Sequence, residues 1–218
     1  MGKKLPFLIV SLILINMCGY LGFAKSDASS IFFNFGQRLM QNKQDLNADK
    51  IILKVNHVPI TKQEYDSVKD RMKFSNNAVT DDEVEDNIIK FTVQYQEAQR
   101  QGVEATEAEA KKYADEMKQL ANNALKDPEN APDNSHLMLE YINGTGKTVD
   151  QFFADSITIK GYQKMLSVGN LQKKLYDEVD STLSKDINPV EKQRLREKAF
   201  DELTEKCVTA AAVEHASN

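Results

Sequence analysis

The sequence predicts a mainly helical protein with one small β-hairpin, preceded by an N-terminal signal or anchor helix. The chain holds only 9 Gly and 5 Pro in 218 residues, which are too few turn-forming residues for a β-sandwich or barrel. Four helix-start signals recur along the chain, and one β-branched segment covers residues 51–60. At this length we expect one domain with short appendages.

The first 24 residues predict export from the cytoplasm. Lys3 and Lys4 precede a stretch, residues 5–24, that carries no charge. A short positive segment before an apolar core is typical of a secretory signal peptide, and an apolar stretch of about 20 residues also spans a bilayer as a helix. Both alternatives, a cleaved signal and an uncleaved anchor, place the rest of the chain outside the cytoplasm. A lipidated cysteine needs a small residue directly before it, but Met17 stands directly before Cys18. We therefore do not expect Cys18 to be lipidated.

Residues 25–49 predict a linker with a short helix. Residues 31–35 (IFFNF) form an aromatic cluster, for which two placements stay open: near the membrane or packed on the body. The polar run 41–50 is typical of a linker.

A hairpin is predicted at residues 51–60. Two short apolar segments flank Asn56 and His57, and an Asn-containing pair between such segments favours a tight turn. Pro59 has no N–H to donate, so its strand must lie at an edge of the sheet.

Helices are predicted over most of the remaining chain. A Thr followed three residues later by Glu or Gln forms a capping box; the pairs are Thr61/Glu64, Thr80/Glu83, Thr106/Glu109 and Thr148/Gln151. The helices are expected at 62–74, 81–101, 107–125, 135–143, 149–180 and 189–212.

Two details of these helices are predicted from spacing and composition. In the helix at 81–101, one apolar face is expected from Val84, Ile88, Phe91 and Tyr95. In the helix at 149–180, Gly161 and Gly169 predict a bend, since each Gly weakens a helix by about 1 kcal/mol relative to Ala.

Composition argues against several classes of function. The net charge of −5 disfavours a nucleic-acid binder, because an acidic surface repels phosphates. Two Cys and three His have no zinc-ligand spacing, so we expect neither a metal nor a cofactor. The acidic run 81–83 is typical of a helix N-terminus, and residues 143–148 (NGTGKT) lack the first Gly of a phosphate loop. No catalytic residues are predicted.

Three short motifs follow one another along the chain. Residues 54–65 (KVNHVPITKQEY) are similar to the pattern "VNG-x-x-I-T-x-x-(E/D)-(F/Y)". Residues 88–106, which end in QGVEAT, are similar to a helix that closes at a Gly before a Thr or Ser. Residues 146–152 (GKTVDQF) are similar to "G-x-(T/S)-x-(D/E)-(Q/E)-(F/Y)". In this order the motifs resemble the N-terminal domain shared by the SurA and PrsA groups of extracytoplasmic chaperones, and the resemblance covers residues 50–180.

The resemblance implies a helical chaperone domain at residues 50–212, with a core at 50–180 and a closing helix at 189–212. Residues 213–218 would be a tail. Two departures stand out: His57 replaces the usual Gly, and only 38 residues follow Asp180, which leaves no room for the parvulin isomerase domain that usually follows.

The implied function is binding of unfolded or extended segments of exported proteins, outside the cytoplasm and without an isomerase domain. Two alternatives stay open: a membrane-tethered adaptor for one envelope partner, and a diverged peptidyl-prolyl isomerase. The expected partners are exported polypeptides, and the membrane if the N-terminal segment is uncleaved.

A candidate peptide-binding site follows from aromatic and Met residues, which adapt to varied partners. The residues lie in one region of the sequence: Met138, Tyr141, Phe152, Phe153, Tyr162 and Met165. A core role is the competing interpretation for each, because large apolar side chains are mostly buried.

Overall fold

The computed structural model describes residues 25–75, 78–132, 135–184 and 186–216. Over these ranges the chain forms eight helices and three short strands, which confirms the mainly helical fold class. The elements are α1 (Lys25–Gln44), β1 (Ile51–Val55), β2 (Val58–Thr61), α2 (Lys62–Ser75), α3 (Asp81–Arg100), α4 (Glu107–Lys126), α5 (Ser135–Gly144), α6 (Val149–Ala154), α7 (Ser156–Thr182), α8 (Pro189–Ala210) and β3 (Val213–His215).

The predicted signal or anchor, residues 1–24, lies outside the described residues. Within the described ranges, no helix is both long and apolar enough to cross a bilayer.

All four predicted capping boxes form. At α3, α4 and α6 the Thr hydroxyl accepts the third backbone N–H, and the Glu or Gln side chain accepts the N–H of the Thr. The same exchange joins Thr61 and Glu64 at the start of α2, at 3.0 and 3.2 Å. Local hydrogen bonding therefore sets these helix starts.

The sheet has three strands in the order β2-β1-β3, so the predicted hairpin is only part of it. The expected tail is wrong for residues 213–215, because β3 pairs antiparallel with β1 and places Glu214 opposite Lys54. Pro59 lies on the edge strand β2, as predicted. Asn56 and His57 turn with φ of 49° and 69°, the conformation of a type I′ hairpin turn.

The N-terminal part of the body is a 20-residue helix, α1, rather than a linker with a short helix. It reaches Gln44, so the linker expected at 41–50 begins four residues later than predicted. The aromatic cluster at 31–35 packs on the body: Phe32 is buried and Phe35 stacks on Tyr141 of α5. Packing on α5 stabilises a helix that its polar sequence did not predict.

The helix expected at 149–180 is two helices, and the break lies at Asp155. The Asp155 carboxylate accepts the N–H of Ile157 at 2.8 Å and caps α7, and it also pairs with Lys147. That lysine's hydrogen bond is the main reason why the pKa of Asp155 is lowered. α7 then continues through both Gly161 and Gly169, so the predicted bend belongs to Asp155.

The apolar face of α3 differs from the predicted one at Phe91. Val84 and Ile88 are buried as expected, but Phe91 is 40% exposed. Val93 and Ala98 are buried instead, because the sheet and α8 cover that side of the helix.

Two apolar cores form on the helical framework, and α7 packs on α3, α4 and α8. The first core contains Ala110, Tyr113, Ala114, Met117, Ala121, Ile142, Phe153 and Ile159. The second core contains Leu53, Val55, Ile60, Tyr65, Val84, Ile88 and Val93, with Cys207, Val208, Ala211 and Val213 packed against it. The hairpin and the C-terminal helix thus share one core.

Six helices make a closed circuit of contacts. Each packs on the next in the order α1, α2, α3, α7, α4 and α5, and α5 packs again on α1.

Candidate functional site

Six aromatic rings form a continuous cluster on the inner side of α1, α4, α5, α6 and α7. Their centroids are 5.0 to 6.5 Å apart, within the range of favourable ring contacts. In order of contact the rings are Phe35, Tyr141, Phe152, Phe153, Tyr162 and Tyr113. We call this cluster the aromatic chain.

The structure brings all six predicted site residues to this region. Phe153 is buried inside the first core, and Met138, Phe152, Tyr162 and Met165 are partly buried against that core. Tyr141 is half-buried between Phe35 and Phe152. These side chains therefore contribute to packing, and peptide contact stays a prediction for those that keep an accessible edge.

Three tyrosines of the aromatic chain lie in crowded surroundings. Tyr113 is buried in the first core, and Tyr141 and Tyr162 are half-buried. Their hydroxyls have no hydrogen-bond partner among the described residues. Desolvation raises the pKa of Tyr141 to about 12 and raises the pKa values of Tyr113 and Tyr162.

Arg71 of α2 has an exposed side chain, and desolvation by the surrounding protein lowers its pKa. The Arg71 charge also opposes the rise in the pKa of Tyr141. We call the region of Tyr113, Tyr141 and Tyr162 the tyrosine cleft.

Helix α1 determines which partners are left for Arg71. The neighbouring carboxylate, Asp70, accepts a hydrogen bond from Asn42 at 3.0 Å and pairs with Arg38 at 3.5 Å. Arg71 itself donates to the Asn87 side chain at 3.4 Å, which is a long, weak hydrogen bond. No carboxylate among the described residues pairs with Arg71.

Other polar groups of the described structure have structural partners. The buried carboxylate of Glu97 accepts from Arg100 at 2.5 and 2.6 Å and from Gln101 at 2.7 Å. The Arg100 hydrogen bond is the main reason why the pKa of Glu97 is lowered. Among the described residues no His, Cys, Asp and Glu side chains are grouped to hold a metal ion.

Two shallow depressions lie on outer helix faces, away from the tyrosine cleft. One runs along α7 beside Lys173, Lys174 and Asp177, and the other runs along α8 beside Arg194 and Glu205. Both are lined mainly by charged side chains.

The sequence analysis missed Arg71, Tyr113 and Phe35 as members of the site. Tyr113 was visible only as one apolar position of a helical stripe, and Phe35 as part of an aromatic cluster with two open placements. Arg71 lies in a strongly charged helix, where nothing in the local pattern separates it from Lys69 or Lys73. Its electrostatic effect on Tyr141 depends on how the helices pack.

Comparison with known proteins finds no family model, curated protein or solved structure that matches this chain. The resemblance to the SurA-type domain therefore rests on the three short motifs in residues 54–65, 88–106 and 146–152.

Proposed function

We propose that the protein binds extended apolar segments of other polypeptides in the tyrosine cleft, as an extracytoplasmic chaperone does. The observation that supports the proposal is the dual placement of three tyrosines. Their rings belong to the aromatic chain, while the hydroxyls of Tyr113, Tyr141 and Tyr162 have no hydrogen-bond partner among the described residues.

An accessible aromatic surface suits this role. Ring faces and the thioethers of Met138 and Met165 make apolar contacts that depend little on the shape of the partner. Open hydroxyls satisfy polar groups of a bound backbone, which would otherwise lose their hydrogen bonds to water. Together these groups favour extended segments of varied sequence over one rigid partner.

Export is the second part of the proposal. It rests on Lys3, Lys4 and the uncharged stretch 5–24, which are typical of a signal peptide or an anchor. An exported body would meet polypeptides as they emerge from the membrane, before they are folded.

The proposal is tested by suppression of aggregation when a denaturant-unfolded enzyme is diluted into buffer with this protein. Tyr141→Ala removes the central accessible ring of the aromatic chain. Phe91→Ala removes an aromatic ring that is 40% exposed on α3, outside the cleft, and is the matched control. Both variants are compared at a temperature at which circular dichroism shows them folded.

We expect wild type and Phe91→Ala to suppress aggregation and Tyr141→Ala to lose most of that effect. Equal activity of the two variants, or no suppression by wild type, would contradict the proposal.

A further inference from the structure

The end of α7 and the beginning of α8 form a two-helix arm that has no buried residue. We call residues 175–203 the arm; none of its described residues is buried. Lys174, just before the arm, still bonds to Gln101 of the body at 2.8 Å. Among the described residues, the hydrogen bonds and ion pairs of the arm stay within α7, α8 and the connection between them.

The arm nevertheless carries an apolar seam, which only two helices cover. Arg196 of α8 pairs with Asp180 of α7 and lies over the ring of Tyr176 at 5.6 Å, so the two helices face each other along this seam. Its half-buried apolar side chains belong to neither core of the body: Leu175, Tyr176, Val179, Leu195, Ala199 and Phe200. Four helices enclose such a seam, whereas two leave its sides open.

The charges along both helices change from basic to acidic in the direction of the chain. On α7, residues 170–174 carry two basic side chains and residues 175–182 carry three acidic ones. On α8, residues 189–198 carry four basic and two acidic side chains, and residues 199–210 carry one basic and three acidic. A second copy in the antiparallel direction therefore places the basic half of each helix against the acidic half of the same helix in its partner.

We propose that the arm is a self-association surface, on which the arm of a second copy packs antiparallel so that four helices enclose the seam. The sign of the charge on α8 changes between Lys198 and Asp201, which places the two-fold axis there and sets Arg194 of one copy opposite Glu205 of the other. The antiparallel direction also keeps the two bodies at opposite ends. That separation is favourable because each chain has a net charge of −5 and like charges repel. This inference does not depend on the proposed function.

The test measures the mass of the full 218-residue chain by size-exclusion chromatography with light scattering over a range of concentrations. A mild detergent is included because residues 5–24 carry no charge. We expect a wild-type dimer. Arg194→Glu sets like charges opposite each other at two symmetric positions and should weaken the dimer about tenfold or more. Adding Glu205→Arg to that variant reverses both pairs and should restore most of the affinity.

A matched control and a fold check accompany these variants. Lys112→Glu makes a comparable charge change on the exposed face of α4, outside the arm, and should leave the dimer unchanged. Circular dichroism shows whether Arg194→Glu keeps its helices, since Arg194 also pairs with Glu191 at 2.5 Å.

Chemical crosslinking reports the direction of the arms without disturbing the charges of the pair. In a Cys18→Ser, Cys207→Ser background, Lys198→Cys lies near the two-fold axis and should crosslink to its counterpart with a short thiol reagent. Val190→Cys, at the tip of the arm and 78% exposed in the native residue, should not. At 1.5 Å per residue the two copies of position 190 lie about 28 Å apart along an antiparallel pair.

Several results would overturn the inference. A monomer at every concentration contradicts it, and loss of aggregation suppression in arm variants of such a monomer would assign the seam to clients. A dimer that Arg194→Glu does not weaken, or that Lys112→Glu weakens equally, is not held by these pairs. Crosslinking of Val190→Cys to its counterpart would show the arms running in the same direction. None of these outcomes decides whether the tyrosine cleft binds clients.

Discussion

Gly36 of α1 and Gly144 of α5 pack backbone to backbone where the two helices cross. A Cβ atom added at Gly36 would overlap the carbonyl oxygen of Tyr141, and one added at Gly144 would overlap the carbonyl oxygen of Phe33. This close approach allows Phe35 to stack on Tyr141. The crossing therefore positions one wall of the tyrosine cleft.

Gly36→Ala is expected to lower the free energy of unfolding by about 1–3 kcal/mol, the usual cost of overpacking. Gly161→Ala is the matched control, because a Cβ atom at Gly161 in α7 meets nothing within 4 Å. That variant should gain up to about 1 kcal/mol from helix propensity. Urea denaturation checks both, and equal effects at the two positions would show that the α1–α5 crossing is loose.

Ser167 joins α7 to the connection between α3 and α4. Its hydroxyl is fully buried, accepts the N–H of Ala105 at 2.9 Å and donates to the carbonyl of Gln163 at 2.7 Å. Ser167→Ala leaves the Ala105 N–H without a partner, and we expect a loss of about 1–3 kcal/mol. The exposed Ser181→Ala should change stability little. Thermal melts that show no difference between the two variants would mean that another group satisfies Ala105.

The hairpin turn contains two non-glycine residues with positive φ, Asn56 and His57. Replacing each of them by glycine should change the free energy of unfolding in opposite directions. Asn56 Oδ1 accepts the N–H of Ala212 and its amide donates to Gln96, both at 2.8 Å, so Asn56→Gly should cost about 1–2 kcal/mol. The His57 side chain is 85% exposed and lies 3.9 Å from Glu214, a pair of little value at the surface.

His57→Gly should therefore stabilise the protein by up to about 1 kcal/mol, because glycine relieves the strain of the left-handed conformation. Chemical denaturation of the two glycine variants provides the check. A loss of stability in His57→Gly would assign a structural role to the imidazole.

Asp180 ties the end of α7 to α8, and its contribution should depend on pH. The carboxylate accepts from Arg196 Nε and pairs with Lys192, both at 2.8 Å. Mainly because of the Arg196 hydrogen bond, the pKa of Asp180 falls from the ordinary 3.8 to about 2. A carboxyl whose pKa is lowered by folding stabilises the folded state above its unfolded pKa, and this contribution disappears as pH falls through the folded value.

Wild type should thus have a higher free energy of unfolding than Asp180→Asn near neutral pH. This difference should disappear as the pH falls from about 4 to about 2. Asp201→Asn, an exposed residue of α8, controls for the loss of one negative charge. A difference that persists unchanged at the acid end would show that the ion pair is not its source.

Local signals predicted the helix starts, and distant contacts explain what the sequence did not reveal. The Thr80 and Glu83 side chains exchange hydrogen bonds with each other's backbone within one turn, so their spacing alone identifies the helix start. Val213 has no such signal. Its strand is three residues long and pairs with Val55 from the opposite end of the chain.

The candidate site was predictable only in part for the same reason. Tyr141, Phe152 and Tyr162 are large apolar residues in neighbouring helices, and their grouping follows from sequence. The electrostatic effect of Arg71 on Tyr141 depends on how the helices pack, which no local pattern encodes. The pairing of Asp70 with Arg38 and Asn42 of α1 is likewise a contact between segments that the sequence suggested to be linker and body.

Photo-crosslinking tests the central claim most directly, because it reports which side chain touches a bound client. A photoreactive phenylalanine analogue is placed at position 141 or, as the control, at position 91, and each protein is irradiated with an unfolded client. The account predicts client adducts at Tyr141 of the tyrosine cleft and few at Phe91, although Phe91 is 40% exposed. Equal adducts at the two positions, or none at position 141, would contradict it.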